Sequence, residues 1–313
     1  MAALLATARA LAAAEPAPAA TFTPTKDRLS EAARQALVKA PLEEMLGGHV
    51  AEGAADFEDL LTKRGGGRGD HSLAIGDTLS AMGVGLYTGA TDAGLEDLRR
   101  KSLTYLARAV PALKAAFGEG HPEVALALTD YVTAALQIDP ENPAPEVEAA
   151  AEEAYRIRLA ALGAKNVETV EALATLGQIR GLESRVKGDP ARVAAAAAMV
   201  SQAARLGAAI PRFRPVEYGR LYLTLARIYV VNGQIDRAME AFALAEAAFQ
   251  SPNPQESAVR GVFLIETLTL ATDMEAKGFK AQATLLRERY SKEMGGLIAG
   301  LSAQPPAASA SPK

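Results

Sequence analysis

Histidine is the residue type here best suited to metal binding and to general acid–base catalysis, and it occurs three times, as His49, His71 and His121. A metal site needs several ligands at close spacing. The sequence has no HxxxH, HExxH or paired-histidine pattern. Cysteine is absent as well, which excludes thiolate ligands and cysteine nucleophiles. We therefore expect no metal and no cofactor.

The glycine-rich segment RGGGRGD, from Arg64 to Asp70, is the second candidate for chemistry. Consecutive glycines leave backbone N–H groups free to surround an anion, and Arg64 and Arg68 would add positive charge. However, the segment lacks the GxxxxGK[ST] pattern and follows no buried strand. A flexible connection between helices explains the same residues more simply. An envelope enzyme built on this loop is therefore the least favoured function that we consider.

Paired carboxylates are the third candidate, because Glu43-Glu44 and Glu152-Glu153 are adjacent acidic residues. General acid–base catalysis needs groups that converge on one substrate. Adjacent side chains on a helix point about 100° apart, so these pairs diverge. No GxSxG motif marks a serine nucleophile either. The residues thus predict a protein that is not an enzyme.

The composition predicts the elements that carry these residues. Hydrophobic residues make up 49% of the chain, whereas aromatic residues make up 5% and tryptophan is absent. Alanine takes many of the apolar positions, as in the run Ala194 to Ala198. Alanine has the highest intrinsic helix propensity, and small side chains allow helices to pack closely. We predict an all-α fold.

Charge and hydropathy exclude two classes of partner. The formal net charge is −4 and the pI is near 5.6, which gives no overall positive field to attract phosphate backbones. We therefore expect no nucleic acid partner. No apolar run of transmembrane length occurs, so we expect no membrane span.

The two ends of the sequence differ in composition from the rest. Residues 1–14 are mainly apolar and precede a Pro/Ala-rich stretch at 15–25, and small residues around Ala12 fit a signal-peptide cleavage site. This predicts export to the periplasm or secretion. Since no basic residue precedes the apolar run and Arg9 interrupts it, a cytoplasmic protein with an N-terminal amphipathic helix is the alternative. Residues 302–313 are rich in Pro, Ala and Ser, which predicts a disordered tail.

The clearest pattern lies between Arg220 and Phe249, where two helical faces flank Gly233. Gly233 stands where the chain must leave the first helix, a position that favours positive φ. The residues at fixed spacing are Tyr222, Leu225-Ala226, Tyr229, Ala238, Phe242 and Ala245. Their spacing resembles the tetratricopeptide repeat, whose signature places aromatic and small residues at these offsets.

A weaker copy of this pattern follows 45 residues later. Leu270-Ala271, Met274, Gly278 and Ala283 take the corresponding positions. The copy departs from the signature where Arg287 and Tyr290 replace the expected aromatic and small residue. Terminal repeats are usually atypical, so we expect a partly capping repeat here.

A second marker recurs upstream, again at an interval of 45 residues, as the junctions GEGHP from Gly118 and GAKN from Gly163. These junctions resemble those of the longer tetratricopeptide variant found in kinesin light chains. Gly207 and Asp70-His71 mark two further candidate junctions. The resemblance implies that His71 and His121 have a structural role in closing the turn before the next helix.

The resemblance implies a right-handed α-solenoid of about five helical hairpins, preceded by additional N-terminal helices. The chain is thus expected to contain N-terminal helices within 26–66 and a repeat domain at 67–301. The predicted hairpins cover 71–116, 122–162, 167–206, 216–249 and 255–300, and the earlier helices cover 27–38 and 51–63.

Such a solenoid has a concave surface lined by the first helix of each hairpin. The groove residues that the resemblance implies are Arg220, Leu223, Arg227 and Val230, then Glu171 and Gln178, and then Thr129, Thr133 and Gln137. Arg220 and Arg227 are nearly two helical turns apart, so both can bind one carboxylate or acidic segment. The alternative is that they form surface ion pairs with Glu217 or Glu240.

The favoured function is a non-catalytic scaffold of the tetratricopeptide type that binds a protein or peptide ligand in the bacterial periplasm, with an acidic segment as the candidate ligand. A self-associating structural or assembly protein in the cytosol is the alternative. The sequence does not identify the partner.

Overall fold

The computed structural model describes residues 29–65, 72–89, 96–139, 142–187, 189–210, 215–249 and 257–302. Within these ranges the chain forms twelve α-helices and no β-strand, which confirms the predicted all-α class. The predicted signal peptide, His71, most of the glycine-rich segment and residues 303–313 lie outside the described ranges. The helices are α1 Glu31–Leu46, α2 Val50–Gly65, α3 Leu73–Gly89, α4 Glu96–Phe117, α5 Pro122–Ile138, α6 Pro145–Leu162, α7 Val167–Lys187, α8 Pro190–Ala208, α9 Pro215–Val231, α10 Ile235–Phe249, α11 Ser257–Ala276 and α12 Lys280–Ser302.

The helices follow the predicted ranges, with α1 as the main difference. Its predicted end was residue 38, but α1 continues through Pro41 to Leu46. A proline inside a helix costs about 3 kcal/mol because it removes one backbone hydrogen bond. Here Val38, Pro41 and Met45 are all buried along one face of the helix. The burial of this face offsets the cost of the proline.

The chain divides into two compact units, Met1–Val186 and Lys187–Lys313, which we call unit 1 and unit 2. Unit 1 contains α1 to α6 and all but the last residue of α7, and unit 2 contains α8 to α12. The division falls within the predicted hairpin at 167–206. None of the described helices is long and apolar enough to cross a membrane.

In unit 1, helices that are neighbours in sequence pack against each other. α4 lies against α3 and α5, α5 lies against α6, and α1 packs on both α2 and α3. The core includes Phe57, whose ring meets that of Tyr105 edge-on with centroids 4.8 Å apart. Arg180 on α7 forms ion pairs of 2.8 and 2.9 Å with Glu148 and Glu152 on α6. These ion pairs join the last two helices of the unit.

In unit 2, α9 packs on α8, α10 and α11, and α11 packs on α12. The core is an aromatic cluster in which the ring of Phe263 contacts Phe242, Phe249 and Tyr290, with centroids 4.9 to 5.8 Å apart. The guanidinium of Arg260 lies over the rings of Phe263 and Tyr290 and forms an ion pair with Glu293. Burying each aromatic side chain contributes roughly 1.5–3 kcal/mol, so this cluster makes a large contribution to the stability of the unit.

The corners of the last two hairpins have the same backbone structure. In the first, the N–H of Gly233 donates to the carbonyl of Val230, and the N–H of Gln234 donates to that of Tyr229. The same pair of bonds recurs 45 residues later, where the N–H of Gly278 donates to the carbonyl of Glu275 and the N–H of Phe279 donates to that of Met274. Both glycines have positive φ, +74° and +88°, which is the usual way to end a helix in a tight turn. The backbone conformation of the corner therefore repeats at the same 45-residue interval as the sequence pattern.

The corner between α1 and α2 has this structure too, which the sequence pattern did not predict. Gly48 has φ +97°, its N–H donates to the carbonyl of Met45, and the N–H of His49 donates to that of Glu44. The helices approach closely at Gly53, since a Cβ atom there would lie 2.7 Å from the carbonyl oxygen of Pro41. The first two helices thus form a hairpin with the same corner as the last two.

The junctions before α5 and α7 use a different device, in which a side chain caps the next helix. The His121 imidazole accepts a hydrogen bond from the Glu123 N–H at 3.2 Å and stacks on Phe117. Asn166 accepts one from the Glu168 N–H at 2.9 Å. The structural role predicted for His121 is confirmed. Gly207, a candidate junction, instead lies in the last turn of α8.

Candidate partner-binding site

α9 carries four of the predicted groove residues, and the structure separates them into two groups. Arg220 is exposed and Arg227 is half-buried. Leu223 and Val230, in contrast, are 2% and 0% exposed and belong to the hydrophobic core of unit 2. The accessible stripe of α9 therefore consists of Arg220, Thr224 and Arg227, whose spacing along the sequence places them on one face of the helix.

The two arginines of this stripe have different surroundings. Arg227 donates from Nε to Asp273 on α11 at 3.0 Å, and both side chains are partly buried. The partner is thus neither Glu217 nor Glu240, the residues considered from the sequence. No ion pair joins the Arg220 guanidinium to a described residue. Arg227 is consequently held in place by Asp273 on the neighbouring helix α11, whereas Arg220 is available to a ligand.

α11 contributes an apolar stripe that the sequence reasoning missed. Val262 and Ile265 are 39% and 60% exposed, and Thr269 and Thr272 continue the same helical face. Ile265 and Thr272 lie 45 residues after Arg220 and Arg227. Extending the predicted groove by one repeat interval would have identified both positions.

The two stripes lie side by side. Phe249 at the end of α10 contacts Phe263 near the start of α11 and also lies against Gly219 near the start of α9. α9 and α11 therefore begin at the same end of the unit and run in parallel. The Arg227 to Asp273 ion pair joins their accessible edges. We call the surface formed by Arg220, Thr224, Arg227, Val262, Ile265, Thr269 and Thr272 the α9–α11 face.

In unit 1, the predicted groove residues of α5 are all at least partly accessible. Thr129 and Thr133 are half-buried and Gln137 is exposed. The Thr129 hydroxyl donates to the carbonyl of Ala125 at 2.8 Å, so its hydrogen is used within the helix. Gln137 and Thr133 are therefore the polar groups of α5 best placed to meet a ligand.

On α7, Glu171 is exposed and Gln178 is half-buried. Near this helix lies Arg158 of α6, which is only 4% exposed and donates to the carbonyl of Glu168 at 3.1 Å. Burial lowers the pKa of Arg158, whereas the carboxylates of Glu168, Glu171 and Asp130 oppose that shift. The guanidinium thus stabilises the α6 to α7 junction, and the surrounding charge is acidic.

The residues considered for catalysis have other roles. Glu153 binds Lys114 on α4, while Glu152 binds Arg180 on α7. The adjacent carboxylates diverge onto different helices, as expected. The structure also shows a buried serine on α4, Ser102, whose hydroxyl donates to the carbonyl of Gly83 at 2.8 Å. Among the described residues, no group of three His, Asp or Glu side chains is arranged to hold a metal ion.

Comparison of the chain with protein-family models gave no match, and a search of curated proteins found no significantly similar sequence.

Proposed function

We propose that this protein is a non-catalytic helical-repeat scaffold of the tetratricopeptide type, which binds a protein or peptide on the accessible faces of its first helices. The observation that carries the proposal is the recurrence of one hairpin design at an interval of 45 residues. Gly233 and Gly278 have matching corner hydrogen bonds. Repeats of this kind bury their apolar faces against neighbouring repeats and leave an extended surface for ligands.

Small residues at the points of closest helix approach support the same proposal. Ala226 and Ala238 are both 0% exposed in the first of these hairpins. Their counterparts Ala271 and Ala283 are 0% and 1% exposed in the second. Small side chains at these positions allow the two helices of a hairpin to pack closely. The pattern of small residues and the pattern of turns therefore have the same period.

The accessible groups on the first helices indicate the kind of ligand. They are hydroxyl, amide and guanidinium groups, with Thr133 and Gln137 on α5, Gln178 on α7 and Arg220 on α9. These groups form hydrogen bonds to the backbone and side chains of another polypeptide. Within unit 1 they lie on two helices, α5 and α7, which suits an extended segment more than a compact small molecule.

Self-association, the alternative function, is disfavoured by the last hairpin. Val230 and Phe242 are buried in the hairpin formed by α9 and α10. The equivalent positions in α11 and α12 are Glu275 and Arg287, which form an ion pair with each other. A further hairpin or a second copy stacked there would have to desolvate both charges. We expect light scattering on the purified chain to give the mass of a monomer.

Site-specific photo-crosslinking in cells tests the proposal. A photo-reactive residue placed at Gln137 or Thr272, both exposed on first helices, should capture a partner polypeptide. The matched control is Leu244, which is 51% exposed on α10, a second helix. Equal capture from Leu244, or adducts that contain only this chain, would contradict a ligand-binding face on the first helices.

We also propose that the protein acts in the periplasm, because residues 1–20 combine an apolar run with a Pro/Ala-rich stretch. N-terminal sequencing of the protein from the periplasmic fraction should find a start near Ala14. A chain that stays in the cytoplasmic fraction with its N-terminal segment intact would contradict export and leave the binding proposal unaffected.

A further inference from the structure

The two units carry opposite net charges, although the whole chain is acidic. Unit 1 contains eighteen Lys and Arg residues against twenty-six Asp and Glu, a formal charge of −8. Unit 2 contains fifteen against eleven, a formal charge of +4. The net charge of a surface determines which charged partners it attracts. Unit 2 therefore favours acidic partners, a preference that the overall charge of −4 conceals.

Within unit 2, the α9–α11 face combines a cation with exposed apolar groups. Arg220 is exposed and has no ion-pair partner among the described residues. Val262 and Ile265 lie on the neighbouring helix and are 39% and 60% exposed. Packed helices lie about 8–10 Å apart, so one bound segment can contact both stripes. A single exposed Ile or Val is common, but here the two are adjacent on one helical face and lie beside an arginine.

We infer that the α9–α11 face binds an acidic segment that also carries apolar side chains. In this arrangement a carboxylate of the segment binds the Arg220 guanidinium through charge-assisted hydrogen bonds, and its apolar side chains cover Val262 and Ile265. This inference rests on the proposed scaffold function, because it assigns a ligand class to one of the faces proposed there.

The acidic residues of unit 2 near this face determine which arginine binds the ligand. Asp273 already neutralises Arg227. The interval from Arg227 to Asp273 is 46 residues, and the same interval separates Arg220 from Glu266, so Glu266 is the carboxylate of α11 expected nearest Arg220, although no ion pair joins them. Glu217, also on α9, has an interaction partner of its own. Arg220 is therefore the anchor, and Glu266 competes with the ligand for it.

Fluorescence anisotropy with short peptides and the full-length chain tests this inference. The probe is a peptide that alternates Glu and Leu, and its controls replace every Glu by Gln, every Glu by Lys, or every Leu by Ser. We expect the Glu/Leu peptide to bind at least about five-fold more tightly than each control, since each control removes either the charge contact or the buried apolar side chains. Its affinity should also fall as the salt concentration rises.

Three variants locate the site. We expect Arg220→Glu to weaken binding of the Glu/Leu peptide about ten-fold or more, because attraction becomes repulsion, and Ile265→Ser to weaken it about five-fold. Glu266→Gln should tighten binding about two-fold, because it removes the competing carboxylate. The matched control is Leu285→Ser, since Leu285 is 53% exposed on α12 and lies outside this face.

The outcomes separate this inference from the proposed function. If the Glu/Leu peptide binds but Arg220→Glu and Ile265→Ser leave its affinity unchanged, the α9–α11 face is not its site, and the scaffold proposal stands. Preference for the Lys or Gln peptide would overturn the acidic ligand class. If none of the peptides binds at about 1 mM and crosslinking from Gln137 and Thr272 captures no partner, both proposals fail. Thermal melts of the variants should match the wild type, because the substituted side chains are accessible.

Discussion

The two units build their cores from different chemistry. Among the described residues, unit 1 buries six polar or charged side chains, namely Asp77, Thr78, Ser80, Ser102, Arg158 and Thr169. Unit 2 buries one, Thr267, whose hydroxyl donates to the carbonyl of Phe263 in the same helix. The core of unit 2 otherwise consists of aromatic rings and aliphatic side chains. Unit 1 thus combines an apolar core with buried polar groups, of which Ser102 and Arg158 form hydrogen bonds to backbone carbonyls. Unit 2 depends more completely on shape and apolar burial.

This difference determines how each unit responds to substitution. An apolar core loses stability in proportion to the volume and surface removed. A buried polar contact behaves differently, because removing one partner leaves the other without a hydrogen bond. We therefore expect volume to matter most in unit 2 and the identity of the polar atoms to matter most in unit 1.

The largest effect is expected at the centre of the aromatic cluster of unit 2. Phe263→Ala should lower the free energy of unfolding by about 3–5 kcal/mol, because it leaves a cavity between Phe242, Phe249 and Tyr290. Hydrogen exchange measured by mass spectrometry should show the loss of protection in α9 to α12. The control is Val262→Ala, a neighbouring residue whose side chain is 39% exposed, which should change stability by less than about 0.5 kcal/mol. Equal effects of the two substitutions would mean that the cluster does not stabilise the unit.

In unit 1, Arg158→Ala should cost about 2–3 kcal/mol, because it removes the donor to the Glu168 carbonyl and leaves neighbouring carboxylates without their buried counter-charge. Urea denaturation with hydrogen exchange at the α6 to α7 junction measures the loss. Arg158→Met keeps most of the volume but not the hydrogen bonds. If Arg158→Met restores full stability, shape rather than polar contact governs this site, and the contrast between the units fails. Arg156→Ala, at an exposed neighbour, is the control.

The sequence predicted the helices of both units well because helical periodicity and turn residues are local signals. In unit 2 it also predicted the last two hairpin corners, because small residues, aromatic residues and turn glycines recur there at a fixed interval. It did not predict the burial of Leu223 and Val230, because the helices that cover them lie elsewhere in the chain. The partner of Arg227 was missed for the same reason, since Asp273 belongs to the next hairpin. The hairpin of α1 and α2 was not recognised as similar because Pro41 and Gly53 take its close-approach positions where Ala226 and Ala238 stand in unit 2.

A smaller loss of stability is expected from substitutions at the glycines of the three matching hairpin corners. Gly233→Ala and Gly278→Ala should each cost about 1–2 kcal/mol, because both residues have positive φ, a conformation that strains any residue with a Cβ atom. Gly48→Ala in unit 1 should cost a similar amount, since its corner has the same hydrogen bonds. Gly120→Ala serves as the control, because Gly120 is exposed and no heavy atom lies within 4 Å of its added Cβ. Unequal losses at the three corners, as measured by thermal unfolding, would show that they are not equivalent.

The smallest effect concerns the capped junction of unit 1. His121→Ala should cost about 1 kcal/mol, because the Glu123 N–H at the start of α5 loses its acceptor. His121→Asn should retain most of the stability, since asparagine is a strong capping residue, although the stacking on Phe117 is lost. Thermal unfolding together with hydrogen exchange at the first turn of α5 distinguishes the two contributions. If the alanine and asparagine variants lose the same stability, then stacking on Phe117 rather than capping of the Glu123 N–H stabilises this junction. The contrast between polar contacts in unit 1 and apolar contacts in unit 2 would then not extend to it.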